Sequence, residues 1–205
     1  LESAVSDIEF DNGDFKIVGT DRVVPFRSVA EKAAGENSVA FDEKETFAPE
    51  EATYPNGTHV CELEIDMATG EIELVDYTVV DDFGRVINPL LLEGQVHGGI
   101  AQGLGQAILE SCQYESGSGQ LLSASFMDYT MPRADDFPAI RFKRNEVPCE
   151  TNPLGIKGAG EAGAIGAPPA IVNAIVNALS DHGIRHVDMP VSPNKVWDIL
   201  QNVSA

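Results

Sequence analysis

Between Gly155 and Gly166 the chain carries five glycines and three alanines, and its only ionisable side chains there are Lys157 and Glu161. A run with so little bulk has few side chains to pack, so something has to approach its backbone closely. Glycine permits that approach because it has no Cβ and tolerates positive φ. Downstream, Pro168 and Pro169 suit the first turn of a helix, where the missing N–H is not needed, and Ile171, Val172, Ile175, Val176 and Leu179 then recur at helical spacing. The expectation is a loop that delivers Glu161 just ahead of a helix N-terminus. Unpaired N–H groups and the positive dipole end suit such a place to an anion or an oxygen-rich ligand.

Two other readings of this run stand beside that one. It is equally what a glycine-rich turn before a buried helix looks like, with Glu161 as a solvated loop acid. Gly158, Gly160 and Gly163 also satisfy G-x-G-x-x-G, with Asp181 downstream, as in a dinucleotide-binding turn. That turn needs a hydrophobic strand before its first glycine, whereas Pro153 and Gly155 stand there, and Pro168-Pro169 would fall inside its helix.

A second stretch is also sparing with side chains. Asn88-Pro89 opens it, and a helix is expected from about Leu91 to Ser111. Gly94, Gly98, Gly99, Gly103 and Gly105 would each weaken that helix by about 1 kcal/mol relative to alanine if exposed, which implies close packing against another backbone or a ligand. Gln95, Gln102 and Gln106 stand on the same helix, and an amide donates and accepts at once, as a polar ring edge or a diphosphate requires. His97 has no metal-spaced companions and reads as a packed or solvated side chain.

Elsewhere the pattern is of short strands and helices. Ile8 and Phe10, then Asn12-Gly13, then Phe15, Ile17 and Val18 predict a hairpin, followed by a short helix from Ser28 to Ala34. Residues 36–57 are acidic and aperiodic and read as an extended connector, so residues 1–57 and 58–205 are taken as the two parts of the chain. Period-two alternation from His59 to Val80 predicts a second hairpin turning at Asp66 to Gly70. Asp81-Asp82 is expected in the loop that follows, as turn acids rather than ligands. Strands are expected at Leu121 to Tyr129, Ile140 to Val147 and Ile184 to Met189, with Gly183 closing one helix and Ser192-Pro193 opening the last. The order ββα, ββα, ββα, β, α lacks regular βαβ spacing, so the fold class is α+β, with helices packed on mixed or antiparallel sheets.

Charge removes some functions. Thirteen basic residues against 33 acidic ones leave a net charge of −20, which argues against nucleic acid or an anionic membrane surface as partner. No apolar run is long enough to span a bilayer, and the opening residues lack the pattern of a signal peptide, so a cytoplasmic location is expected. Cys61, Cys112 and Cys149 are odd in number and lack metal-ligand spacing, which favours reduced thiols. The Arg141, Lys143 and Arg144 cluster reads as a solvated strand face.

The run PLGIKGAGEAGAIGAPPAIVNAIVNAL from Pro153, the block NPLLLEGQVHGGIAQGLGQAILE from Asn88 to Glu110, and FMDYTMPRADDFP from Phe126 together resemble the molybdenum-binding large subunit of the xanthine dehydrogenase, aldehyde oxidase and carbon monoxide dehydrogenase family. The third run is similar to bacterial members. The resemblance implies the C-terminal part of a molybdenum cofactor-binding domain, inside a large subunit. It implies oxidative hydroxylation of a carbon centre (an aldehyde, an N-heterocycle or CO) with water-derived oxygen, and Glu161 as the general base. It implies a molybdenum-pyranopterin, with the cytosine dinucleotide as one form, touched by Gln95, Gly158, Ala159 and Gly160, with Gln102 as a further candidate. The metal would be held by the pterin, so no protein metal ligand is expected. Iron–sulfur clusters and FAD would lie on other domains or subunits, the partners would be the rest of the large subunit and those electron carriers, and the whole enzyme would be an oligomer. A nucleotide-dependent reductase and a non-catalytic binding or assembly module that keeps the fold are the competing functions.

Overall fold

The computed structural model describes residues 3–36, 44–49 and 51–203. The chain forms two compact units, Leu1–Ala48 and Pro49–Ala205. In the first, β1 (Ile8–Asp11), β2 (Asp14–Ile17) and β3 (Val23–Pro25) form an antiparallel meander that leads into α1 (Phe26–Glu36). Asn12 and Gly13 both take positive φ, 49° and 90°, as a two-residue hairpin turn demands. Phe10, Phe15 and Phe26 cluster with ring centroids 4.9–6.1 Å apart. The expected connector falls partly outside the described residues, at 37–43 and at 50; residues 44–49 have no regular structure, and Asn56 and Gly57 already belong to the next strand.

The second unit holds a mixed three-stranded sheet in the order β4 (Asn56–Ile65), β5 (Ile72–Asp82) and β6 (Ile140–Arg144), with β4 antiparallel and β6 parallel to β5. Glu62 pairs with Asp76 but Leu63 with Leu74, so Val75 is an extra residue. That bulge shifts the phase of β5, which is why Leu74 and then Tyr77, Val79 and Asp81 all face inward. On this sheet lie α2 (Pro89–Leu104), which runs on as a π-turn over Gly105–Leu109, then α3 (Ala162–Ala178) and α4 (Pro193–Val203). The class is α+β, as expected.

α2 starts as its sequence dictates: Pro89 takes the first turn and the Asn88 side chain accepts from the Leu91 N–H at 3.2 Å. Its inner face, Val96, Ile100 and Leu104, meets Ile171, Ile175 and Leu179 of α3 and its end, all fully buried. Each such side chain contributes about 1.5–3 kcal/mol when withdrawn from water.

Three expectations are corrected. α3 begins at Ala162, so Pro168 and Pro169 sit inside it rather than in its first turn. The two missing N–H groups leave the carbonyls of Ala164 and Ile165 without their helical donors. Against that loss, the Pro168 ring is buried in the contact with α2, where a Cβ added to Gly103 would lie 2.8 Å from its Cδ. Leu121 to Tyr129 is no strand beyond an isolated bridge between Tyr114 and Leu121. Ser125 turns the chain there, its carbonyl accepting from Asp128 and Tyr129 and its hydroxyl from Met127. Ile184 to Met189 pairs with no strand either and crosses the core as an extended strap, burying Val187 before Val191 donates to the Ala107 carbonyl at 2.7 Å.

Candidate functional site

Two helices built from small residues make the floor of the site. Gly99 of α2 meets Gly163 and Ala164 of α3, and Gly103 meets Ala167 and Pro168; a Cβ added to Gly99 would stand 2.9 Å from Ala164 N and Gly163 Cα. Such spacing lets the two backbones touch, as the sequence implied for Gly99 and Gly103. Gly94 and Gly98 differ, because nothing lies within 4 Å of the side chain they lack.

At the head of α3 stands Glu161. It is the N-cap residue, its carbonyl accepts from Ile165 N at 3.0 Å, and its exposed side chain makes no cap hydrogen bond. The N–H groups of Ala162, Gly163 and Ala164 have no helical carbonyl to bond, which gives this end of the helix its donors. Gln95 comes across from α2 and donates through Nε2 to the Gly160 carbonyl at 2.7 Å. Residues 65 apart in sequence therefore meet at one place, but one donor of the Gln95 amide is spent on the loop itself. Gln102 lies on the exposed side of α2, about two turns further on. Added Cβ atoms on Gly158 and Gly160 would meet nothing within 4 Å, so the loop presents bare backbone to open space on that side. Ala159, between them, packs against the core.

The loop is fastened from behind. Asp81 and Asp82, expected as solvated turn acids, are the buried last residues of β5. Asp82 Oδ2 pairs with Lys157 Nζ at 2.5 Å, and its Oδ1 accepts from Gly84 N at 2.7 Å and Val147 N at 3.1 Å. Burial, the largest single influence, pushes the Asp82 carboxyl up, but the Lys157 hydrogen bond, the two backbone N–H groups and the Lys157 charge together outweigh it and hold the group below its ordinary value. Asp81 faces His59, with Oδ1 3.6 Å from Nε2, and His59 Nδ1 shares a 2.8 Å hydrogen bond with the Tyr77 hydroxyl. Gly166 of α3 rests on the His59 ring.

These buried groups were the residues that sequence reasoning missed. One signal was present: in an acidic chain, the single cation within a glycine-rich run needs a carboxylate, and a tandem acid was the natural partner. Among the described residues no group of His, Cys, Asp and Glu is arranged to hold a metal ion, and Cys61, Cys112 and Cys149 are unpaired. Also among the described residues, no helix is long and apolar enough to cross a membrane.

The dinucleotide turn fails for a reason different from the one the prolines suggested, since the helix does start within the glycine motif and contains them. What is missing is the strand before Gly158, where the chain makes only an isolated antiparallel bridge between Gly84 and Ile156.

Residues 1–138 match the molybdopterin cofactor-binding domain family. The chain belongs to that family. It is 32% identical over 209 residues to the carbon monoxide dehydrogenase large chain of Hydrogenophaga pseudoflava, covering 98% of this chain and 26% of that protein. It is 33% identical over 211 residues to the 6-hydroxypseudooxynicotine dehydrogenase complex subunit gamma of Paenarthrobacter nicotinovorans, covering all of this chain and 26% of that one. The crystal structure of quinoline 2-oxidoreductase from Pseudomonas putida 86 superposes with a TM-score of 0.88 at 34% identity, over 98% of this chain and 26% of the other. The chain thus spans about a quarter of the length of the relatives it matches.

The residues present fit a pterin-borne group. Gly158 and Gly160 leave bare backbone facing open space where an added Cβ would project, beside the N–H groups of the first turn of α3.

Proposed function

We propose that this chain forms one wall of a molybdenum-pyranopterin site in a cytoplasmic hydroxylase-type oxidoreductase, with Glu161 as the general base. When bound, the cofactor supplies an acidified water-derived oxygen and accepts two electrons. In an aldehyde or an N-heterocycle a carbon–hydrogen bond is exchanged for carbon–oxygen, and in CO, which has no such bond, the carbon gains the water-derived oxygen to give CO2. Either way two electrons leave toward iron–sulfur and flavin groups on other domains or subunits, and two protons go to the protein and solvent. The substrate is an aldehyde, an N-heterocycle or CO.

The work of this chain is local. Gly158 and Gly160 admit the cofactor to the backbone, Gln95 holds the Gly160 carbonyl, and the side chain of Glu161 receives the proton. One observation carries the assignment: Glu161 is an exposed carboxylate without a cap hydrogen bond, at the head of α3 beside an open backbone cradle, and the nearby Lys157 ammonium is already committed to Asp82. A carboxylate with no partner of its own is free to reach a ligand held beside it.

The test is Glu161→Gln in the complete protein, with turnover expressed per bound molybdenum. The amide keeps shape but cannot accept the proton, so the rate should fall about 10²- to 10⁴-fold at near-normal metal content. Wild-type turnover per molybdenum would end the assignment, and a parallel fall in rate and metal content would mark Glu161 as a cofactor-holding residue instead.

A further inference from the structure

We infer that Lys157 and Asp82 form a positioning pair: a buried ion clamp that fixes the loop from Gly155 to Glu161 on the sheet and so sets where the Glu161 carboxylate stands. The inference rests on the reading of Glu161 as proton acceptor, and it assigns a role to two residues outside the set expected to touch the cofactor.

The need for a clamp comes from the loop. Glycine-rich backbone loses the most freedom on ordering, and Gly158 and Gly160 have no side chains with which to pack. A base displaced by about 1 Å loses much of its effect. The fastening is concentrated on one carboxylate, since Asp82 gathers the turn at Gly84, the segment after β6 at Val147 and the loop at Lys157. Around it, the backbone repeats the pairing: Lys157 N donates to Phe83 O at 2.9 Å, Arg85 N to Gly155 O at 2.8 Å, and the Asn152 amide brackets both N and O of Ile156. Beyond Lys157 the tether from Gln95 to Gly160 precedes Glu161. The pair is withdrawn from water, with side-chain exposures of 13% and 7%, so solvent does not screen it as it would a surface pair. A charge pair is also directional in this setting, because an unpaired ammonium or carboxylate would be left buried in any other arrangement of the loop.

Three variants of the complete protein test this: Lys157→Met, Lys157→Arg and the double change Asp82→Asn with Lys157→Met. Two readouts are taken, amide hydrogen exchange at Arg85, Ile156 and position 157, whose N–H groups are bonded where the loop meets the sheet, and turnover per bound molybdenum. Lys157→Met should speed exchange in the loop by about tenfold or more while leaving β4 and β5 protected, and Lys157→Arg should recover most of the protection. Turnover per molybdenum should fall about 10- to 100-fold in the Met variant, chiefly in kcat rather than KM. The double variant has no stranded carboxylate and covers the case in which Lys157→Met does not fold. It should regain thermal stability without regaining loop protection or turnover. Unchanged loop exchange in the Met variant, fast exchange with wild-type turnover, or a double variant restored in both readouts would overturn the clamp. Failure of Glu161 as base is seen separately, because the exchange readout does not depend on it and Glu161→Gln decides it.

Discussion

Gly99 and Gly163 are glycines because another part of the same chain occupies the space a side chain would need. Gly158 and Gly160 stand in the loop just before α3, and a Cβ added to either would meet nothing within 4 Å. The residue type is identical and the physical cause is opposite. In the helix pair, the lack of a Cβ is explained by contacts inside the chain, so it belongs to stability. In the loop no contact of this chain explains it, and the cofactor proposed above is the partner that would. A glycine-rich motif is therefore informative only after its missing side chains have been tried in place.

The sharpest attempt to break this comparison is Gly163→Val. Its Cβ would run into the backbone of α2 at Val96, Gly99 and Ile100, which cannot move aside as a flexible side chain can. A loss of about 3 kcal/mol or more is expected, read from chemical denaturation, with Gly99→Ala costing about 1–3 kcal/mol. Wild-type stability for Gly163→Val would mean that the helices are not held at this distance, and the internal explanation for the glycines would go with it.

How much of this could be read beforehand follows the range of the interactions involved. The hairpins at Asn12-Gly13 and Asp66 to Gly70 were legible because turn chemistry and period-two alternation are local, and the Asn88-Pro89 helix start was legible for the same reason. The meeting of Gln95 with the loop was anticipated through the family resemblance. The start of α3 was misread because Pro168-Pro169 is a strong local signal overridden by burial of the proline ring against Gly103. Leu121 to Tyr129 and Ile184 to Met189 had apolar content suited to strands, but a strand needs a neighbour, and neither finds one. The Asp82–Lys157 pair joins positions 75 apart through the parallel placement of β6 and the return of the loop, and no local pattern encodes that.

Acid should separate the two regions again, by a smaller effect. Asp82 is held below its ordinary value of 3.8, so its contribution to stability is fully present above that pH and is lost as pH falls through the lower folded value. The helix contact involves no titrating group and should not respond. The difference in thermal midpoint between the wild type and Lys157→Met should therefore be largest above the carboxylate range and close as pH drops below 3.8. A constant difference across that window would show that the lysine stabilises the fold by something other than its charge pair.

Gly94 and Gly98 lie on α2 itself but behave in space like the loop glycines, exposed and with nothing within 4 Å. On an exposed helix face alanine is favoured over glycine, so each change to alanine should stabilise this chain by about 0.5–1 kcal/mol. The sign is the informative part. Stabilisation of this chain alone with destabilisation in the assembled enzyme would mean that another segment or subunit covers this face.

The smallest expected change in stability is at Gly160→Ala, and it decides most about the loop. Neither Gly158 nor Gly160 has a left-handed backbone, so alanine introduces no conformational strain, and its methyl would project into space that this chain leaves empty. Unfolding free energy should stay within about 0.5 kcal/mol of the wild type. If the cradle exists to let a pterin-borne group lie against the backbone, that methyl stands where the group must sit, and molybdenum and pterin content of the complete protein should drop while the fold is untouched. Gly158→Ala should act in the same direction. Full cofactor content in both variants, with unchanged stability, would leave the open glycines without a function, and the loop could no longer be distinguished from an ordinary flexible turn.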